Sequence, residues 1–208
     1  MQPILANVVV DLFLKGGPIM YPLLVAAAVA VAVAGERLLW WFRQGARRDE
    51  ALVAKVLVAA EQGRWEEAAH LAGSSADPVA KVLAAGLAHR ETSMEGAIQV
   101  AAARELREAG RFIPTLDTLV TLAPLLGLLG TVTGIMASFN SIGNDELAVT
   151  KVTGGIGEAL IATAAGLGIA ITTLIPLNIL NTRLSGLQAD LEAAATTLQV
   201  AAQKQARR

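Results

Sequence analysis

The sequence predicts an all-α fold: a polytopic membrane protein whose three transmembrane helices extend into a cytoplasmic helical region. Composition is the first observation, because 54% of the 208 residues are hydrophobic and 17% are charged, whereas a soluble domain has about 25% charged residues. The second is that the apolar residues cluster into three runs, each of about 20 residues or more, the length that a bilayer-spanning helix needs. Between the first two runs, apolar residues recur at helical intervals among many charges.

Composition also excludes several classes of protein. The chain has no cysteine, which removes disulfides, thiolate metal sites and cysteine nucleophiles. His70 and His89 are far apart in a polar segment, so we expect neither a metal ion nor a cofactor. The formal net charge is −1 and no segment carries a basic stripe, so we expect no nucleic-acid partner.

Residues 1–17 are predicted to form a periplasmic amphipathic segment. Ile4, Val8 and Leu12 recur there at helical spacing with polar residues between them, a pattern typical of a helix that lies on a membrane surface. A secretory signal is not expected, because no positive charge precedes the apolar residues. A Gly-Gly-Pro sequence then breaks the helix.

The first transmembrane helix is predicted at 18–42, ending in Trp40 and Trp41, which suit the aromatic belt of a membrane interface. Residues 43–113 follow as the cytoplasmic helical region, with ten of the seventeen basic residues and as many acids. Breaks in its pattern predict four helices. Their predicted ranges are 46–61, 64–72, 78–90 and 93–112.

Two signals define the end of this region. Thr92 and Glu95 have the spacing of a capping box, which predicts the start of the last helix. Pro114 is expected to kink or interrupt the chain after that helix.

The remaining chain is predicted to contain two further spans. The second transmembrane helix covers 114–139, a periplasmic loop 140–154, the third transmembrane helix 155–181, and a cytoplasmic C-terminal helix 182–208. Basic residues flank the spans mainly in the 43–113 region and in the C-terminal tail. Since positive charge stays on the cytoplasmic side, the N-terminus is predicted to be periplasmic and the C-terminus cytoplasmic.

Glu158 is the only charged residue in the third apolar run. An ionisable side chain at membrane depth costs roughly 2.5 kcal/mol or more, so such a residue marks a candidate functional site. The alternative is that Glu158, a few residues inside the run, lies solvated at the water interface.

Other polar residues lie inside the apolar runs. On an ideal helix, Asp117, Thr131 and Ser138 share one direction to within about 40°, and Thr172 lies on the face of Glu158. Together with the acid they could hold a file of water and pass protons along it. The alternative for each hydroxyl is a bond to a carbonyl of its own helix, and for Asp117 it is solvation at the interface or pairing with Arg111.

Glycines form a separate pattern, and no catalytic constellation accompanies it. The sequence contains no phosphate-binding glycine loop and no nucleophile–base pair. Small residues in spans allow close approach of helices, so we interpret these glycines as helix-packing positions. They are Gly127, Gly130, Gly134 and Gly166.

Two stretches resemble the ExbB/TolQ/MotA proton-channel family. A-P-L-L-G-L-L-G-T-V-T-G-I-M-A-S-F, from Ala123 to Phe139, is similar to its second-span signature. I-G-E-A-L-I-A-T-A-A-G-L-G-I-A-I, from Ile156 to Ile171, is similar to its third-span signature. The stretch G-G-P-I-M-Y-P-L-L, from Gly16 to Leu24, and the pair Glu36-Arg37 resemble the first span of the ExbB and TolQ branch.

The resemblance implies a ring, expected to be a pentamer, that encloses a dimer of an ExbD/TolR-like single-span partner in its central pore. It implies a bacterial inner-membrane complex that uses the proton gradient to energise a TonB/TolA-like envelope protein, in ExbB-like fashion for TonB-dependent outer-membrane transport. It further implies that Glu158, Thr131 and Thr163 line the proton pathway. Asp117, Thr172 and Ser138 are then candidates for further pathway or gate positions.

Departures from the family pattern leave alternatives open. Thr172 and Thr173 follow Ile171 where the family often has proline, and proline arrives only at Pro176. A TolQ-like subunit for envelope integrity and cell division is one alternative, and a non-conducting membrane scaffold is another. An enzyme is the third, and no nucleophile or metal cluster supports it.

Overall fold

The computed structural model describes residue 11, residues 13–140 and residues 148–206, and the regular structure in these ranges is entirely helical. The all-α prediction is therefore confirmed. Most of the predicted segment 1–17 and residues 141–147 of the predicted loop lie outside the described residues. The helices are α1 (Met20–Gly45), α2 (Glu50–Glu61), α3 (Trp65–Gly73), α4 (Pro78–Ala88), α5 (Met94–Ala109), α6 (Ile113–Asn140) and α7 (Ala148–Ala206).

The chain divides into two compact units. We call Met1–Glu36 with Phe112–Asn178 the apolar unit, and Arg37–Arg111 with Ile179–Arg208 the charged unit. In the part of the chain that the structure describes, three helices are long and apolar enough to cross a membrane, at Met20–Gly45, Ile113–Phe139 and Thr153–Gln205. This number of spans indicates a multi-pass membrane protein.

The apolar unit has a small core and an apolar exterior. Ala26 and Ala30 of α1 pack with Leu119 of α6, so the interior is built largely from small side chains. Large apolar side chains point outwards instead, which suits a lipid solvent and not water. Examples on the three helices are Tyr21, Val25, Val31, Leu125, Leu128, Phe139, Leu160, Ile171 and Ile175.

The starts of two helices in this unit differ from the prediction. The chain is interrupted before Pro114: Phe112 has a left-handed backbone (φ 64°) and α6 begins at Ile113. Pro114 therefore lies in a first turn, where its missing N–H does no harm. Helix α7 begins at Ala148, inside the stretch predicted as loop.

The four predicted helices of the charged unit are found as α2 to α5, with ends within four residues of the prediction. Asp49 caps α2 by accepting from the Leu52 N–H (2.9 Å). The predicted capping box at Thr92 is wrong, because Ser93 is the N-cap of α5 and makes no side-chain cap bond. The Thr92 hydroxyl donates to the carbonyl of His89 instead (3.3 Å).

Helix α4 forms the centre of the charged unit and packs against α2, α3 and α5. The end of α7 adds a stripe of buried apolar residues. Gly86 of α4 lies against this stripe, since an added Cβ would be 3.4 Å from Leu198. The buried stripe consists of Leu187, Leu191, Ala194, Leu198 and Ala201.

A buried carboxylate ties three parts of the charged unit together. Asp77 is fully buried and caps α4, accepting from the Val79 N–H (2.7 Å). It also accepts from the Asp49 N–H (2.8 Å) and lies 3.5 Å from Arg48. Arg48 in turn pairs with Asp190 of α7 (2.7 Å). The prediction treated this stretch only as a break, although Asp-Pro before an apolar run is a helix-start signal.

Candidate functional site

Glu158 lies on α7 and is half-buried. Its neighbour is the turn that precedes α1, where Gly17 has a left-handed backbone (φ 70°) and its carbonyl accepts from the Met20 N–H (3.1 Å). A Cβ built on Gly17 would collide with Oε1 of Glu158. The carboxylate therefore rests directly on the backbone of this turn.

A cavity of about 370 Å³ opens beside the carboxylate. Among the described residues that line it, Glu158 alone is charged. At roughly 30 Å³ for each water molecule, the volume could hold about a dozen waters. The other lining residues come from the α1 turn and from α6: Gly16, Pro18, Ile19, Leu129, Gly130, Thr133, Gly134 and Ala137.

Thr163 contacts a different neighbour from Glu158. Its hydroxyl donates to the carbonyl of Gly127 on α6 (2.8 Å), so it links two helices. A hydroxyl that donates one hydrogen bond still has lone pairs that can accept another from water. Thr163 is half-buried.

The other predicted hydroxyls bond within their own helices. Thr131 donates to Leu128 O (2.6 Å), Ser138 to Gly134 O (2.8 Å) and Thr172 to Gly168 O (2.9 Å). The alternative considered from sequence, a bond back to the helix's own backbone, thus describes these three side chains but not Thr163. None of the three lines the cavity beside Glu158.

Asp117 also lies away from that cavity and its side chain is exposed. The structure therefore does not bring Asp117, Thr131 and Ser138 together with the acid, although their helical directions agree. Its role as a gate remains a prediction.

The four predicted glycines lie where α6 and α7 approach closely. A Cβ on Gly166 would be 2.5 Å from the carbonyl oxygen of Ala123, and one on Gly127 would be 3.0 Å from that of Ala162. On Gly134 it would lie 3.1 Å from the Cβ of Ala159. A Cβ on Gly130 would meet the side chains of Ile19, just before α1, and of Ala162 on α7, each at 2.7 Å.

Sequence reasoning missed two residues of the site. Thr133 lines the cavity beside Glu158, yet the family signature directed attention to Thr131. Gly17 was noted only as a helix breaker. No sequence signal pairs it with an acid more than a hundred residues away, although its place in a Gly-Gly-Pro turn favours a left-handed backbone.

Among the described residues, no group of three or more histidine, cysteine, aspartate or glutamate side chains could hold a metal ion. The site therefore consists of one carboxyl group, a cavity and hydroxyls within a bundle of long apolar helices. These features are typical of an integral membrane protein with an ionisable group on a membrane-spanning helix.

Comparison with known proteins gives the family. The profile of the MotA/TolQ/ExbB proton channel family matches residues 74–193. The chain belongs to this family. It is 39% identical over 183 residues to the biopolymer transport protein ExbB-like 1 of Synechocystis sp., an alignment that covers 82% of this chain and 69% of the relative.

Two further relatives represent the two named branches. ExbB of Neisseria gonorrhoeae is 46% identical over 79 residues, covering 38% of this chain and 36% of that protein. The Tol-Pal system protein TolQ of Haemophilus influenzae is 38% identical over 95 residues, covering 45% of this chain and 42% of that protein. The family resemblance stated from sequence is confirmed.

Proposed function

We propose that this protein is a proton-channel subunit and that Glu158 carries the proton. One observation bears most of the proposal: the single charged residue of the third apolar run is half-buried and lines a cavity large enough for water. Placing a carboxyl group at membrane depth costs free energy, so its presence there indicates a function. Proton transfer gives it one, because a carboxyl group can take a proton from one water and release it to another.

The surrounding residues support a relay through water. Thr133 offers a hydroxyl in the same cavity as the acid. Thr163, which the family resemblance places on the proton route, holds α6 and α7 together through Gly127 and keeps an acceptor for water. We propose that Thr131 contributes on the same route, as the resemblance implies.

The proposed assembly follows the family. We propose a pentameric ring in the bacterial inner membrane around a dimer of an ExbD/TolR-like single-span partner. The spans are proposed at 18–42, 114–139 and 155–181, with the N-terminus periplasmic and the C-terminus cytoplasmic. The observation that supports this orientation is that most of the basic residues lie in 43–113 and in the tail.

The proposed duty is ExbB-like: energising a TonB-like envelope protein for outer-membrane transport, with no enzymatic step. The similarity to proteins named ExbB-like and ExbB supports this choice. A TolQ-like duty with a TolA-like envelope protein is the second candidate, and the similarity to TolQ favours it. Co-purification with the product of the adjacent gene, followed by subunit counting, separates them.

The decisive experiment is proton flux in liposomes that contain this protein and its single-span partner. Glu158→Gln preserves the shape of the side chain but cannot exchange a proton, so we expect flux to be abolished while the assembly still forms. Glu192→Gln, an exposed acid on the same helix, is the control and should leave flux unchanged.

A scaffold would behave differently in the same experiment. It would have no flux to lose and would tolerate Glu158→Gln in cells. If that variant assembles and conducts protons like the unchanged protein, the proposed role of Glu158 is wrong.

A further inference from the structure

A second cavity, of about 240 Å³, lies within the charged unit. It is bounded by the end of α1, the start of α4 and the part of α7 around Leu187. Trp41 and Gln44 come from the last turns of α1, which is also the end of the first membrane-spanning candidate, Met20–Gly45. Its charged lining residues are Arg48, Glu50, Arg183 and Asp190.

Trp41 is the first observation that points to a ligand. Its side chain is 7% exposed, and its indole Nε1 is the one buried side-chain nitrogen or oxygen in the described residues that has no hydrogen-bond partner. Buried indole N–H groups usually find an acceptor. A molecule in the cavity that Trp41 lines could supply that acceptor.

The charges on the cavity wall are the second observation. Arg48 is shared by three carboxylates: Asp190 at 2.7 Å, Asp77 at 3.5 Å and Glu50 at 3.8 Å. Asp77 is fully buried and does not line the cavity. The wall therefore carries two guanidinium groups, of Arg48 and Arg183, and two carboxylates, of Glu50 and Asp190, so its formal charges balance. Arg183, on the α7 side of the cavity, has no recorded ion pair among the described residues and is exposed.

The wall thus offers donors and acceptors at once. Trp41 and Arg183 can donate to a phosphate oxygen, whereas Glu50 and Asp190 can accept from an ammonium group. A wall with balanced charges suits a zwitterion, because a purely anionic ligand would offer nothing to the two carboxylates and a trimethylated ammonium could not donate hydrogen bonds to them. These chemistries together select a zwitterion that has a phosphate and a primary amine.

We infer that this cavity binds the headgroup of an aminophospholipid, phosphatidylethanolamine, with the phosphate on Trp41 and Arg183 and the amine on Glu50 and Asp190. The position suits a lipid, since tryptophan is enriched at membrane interfaces. Leu38, three residues before Trp41 and within about 60° of it round the helix, is 40% exposed, which gives acyl chains an apolar surface. This inference does not depend on the proton-channel function.

The test uses the full chain in nanodiscs with ¹⁵N-labelled tryptophan. Three lipid mixtures are compared: phosphatidylcholine alone, and phosphatidylcholine with either phosphatidylethanolamine or phosphatidylglycerol. We expect the Trp41 indole resonance to shift with phosphatidylethanolamine alone. Native mass spectrometry should then show one retained phosphatidylethanolamine for each subunit.

Variants of cavity residues test whether the lipid is retained at this cavity. Trp41→Phe removes only the indole donor, and Arg183→Gln removes the charge without touching the fold interior. Each should lower retention by about tenfold, the factor that corresponds to one lost hydrogen bond. The matched controls are Trp65→Phe and Arg90→Gln. These two residues form a cation–π pair away from the cavity, with the Arg90 guanidinium 5.1 Å from the Trp65 ring, and both variants should retain the lipid.

Several results would overturn the inference. Equal retention of phosphatidylglycerol would show that the acids do not select the headgroup. An equal Trp41 shift with inorganic phosphate or with free phosphoethanolamine in detergent would show a small-anion or small-zwitterion site and no lipid site. Unchanged retention in Arg183→Gln would exclude the proposed contact even if Trp41→Phe failed to fold.

Discussion

The apolar unit and the charged unit stabilise their buried polar groups by different means. In the apolar unit, hydroxyls donate to backbone carbonyls and glycines let helices approach, as at Gly166 beside Ala123. In the charged unit, carboxylates cap helices and share an arginine, as Asp77 does with Arg48. Lipid supplies no hydrogen bonds, so the first unit must use its own backbone, whereas the second can use charge.

The largest expected effect comes from removing the central carboxylate of the charged unit. Asp77→Ala leaves the Val79 and Asp49 N–H groups without their acceptor, which should cost about 3 kcal/mol of local stability. Hydrogen exchange of peptides from α2 to α5 measures this, and peptides from α6 should keep their protection. Asp49→Ala, which loses one exposed cap, should cost only about 1 kcal/mol. Equal effects of the two variants would contradict the central place given to Asp77.

The next largest effect is expected in the apolar unit, at the close contact between α6 and α7. A Cβ on Gly166 has no room against the Ala123 carbonyl, at 2.5 Å, so Gly166→Ala should destabilise the α6–α7 contact by about 2 kcal/mol. Thermal unfolding in detergent is the measurement. Gly168→Ala is the control, because an added Cβ there meets nothing within 4 Å. A similar melting temperature for both variants would show that close backbone approach does not stabilise this unit.

A third variant tests the turn beside the acid. Gly17→Ala places a methyl group on Oε1 of Glu158, and its left-handed backbone costs an alanine about 1–2 kcal/mol. We expect the carboxylate to move and proton flux in liposomes to fall. Gly35→Ala on α1, where a Cβ meets nothing within 4 Å, should conduct normally. Full flux in Gly17→Ala would mean that the turn does not position the acid.

The smallest expected effect compares two kinds of hydroxyl hydrogen bond: one that joins two helices and one that stays within a single helix. Thr163→Val removes the bond to Gly127 and should cost about 0.6 kcal/mol, the average for such bonds in membranes. Thr173→Val removes only a bond to Ile169 of its own helix (2.7 Å) and should cost less. Both are measured by thermal unfolding, and a larger loss for Thr173→Val would reverse the comparison.

The two units also differ in how far the sequence could predict them. Most helix limits of the charged unit were predictable, because Pro78 and the Gly73–Asp77 stretch are local signals, whereas the start of α7 at Ala148 was not. The face of Glu158 was predictable only in part: helical angles separate it from Thr163, but they do not show that Gly17 lies against it. The contact joins residues far apart in the chain. Glycine has no side chain, so no pattern of side chains in the sequence predicts its contact with Glu158.

For the same reason, the sequence could not predict the roles of Thr133 and Trp41. Both look ordinary in the sequence, one as a hydroxyl in a span and the other as half of an aromatic pair. Their roles depend on which cavity each lines, and a cavity is a property of several elements together. By contrast, Asp77 could have been found, since Asp followed by Pro before an apolar run is a local helix-start signature.

The Gly17 turn lies so close to the Glu158 carboxylate that its amide vibrations should sense whether that group is charged. A ¹³C label in the Gly17 carbonyl would then give an infrared band that changes frequency each time the acid gains or loses a proton. Occupancy of the acid could thus be followed in time without a dye, and without altering any side chain of the protein.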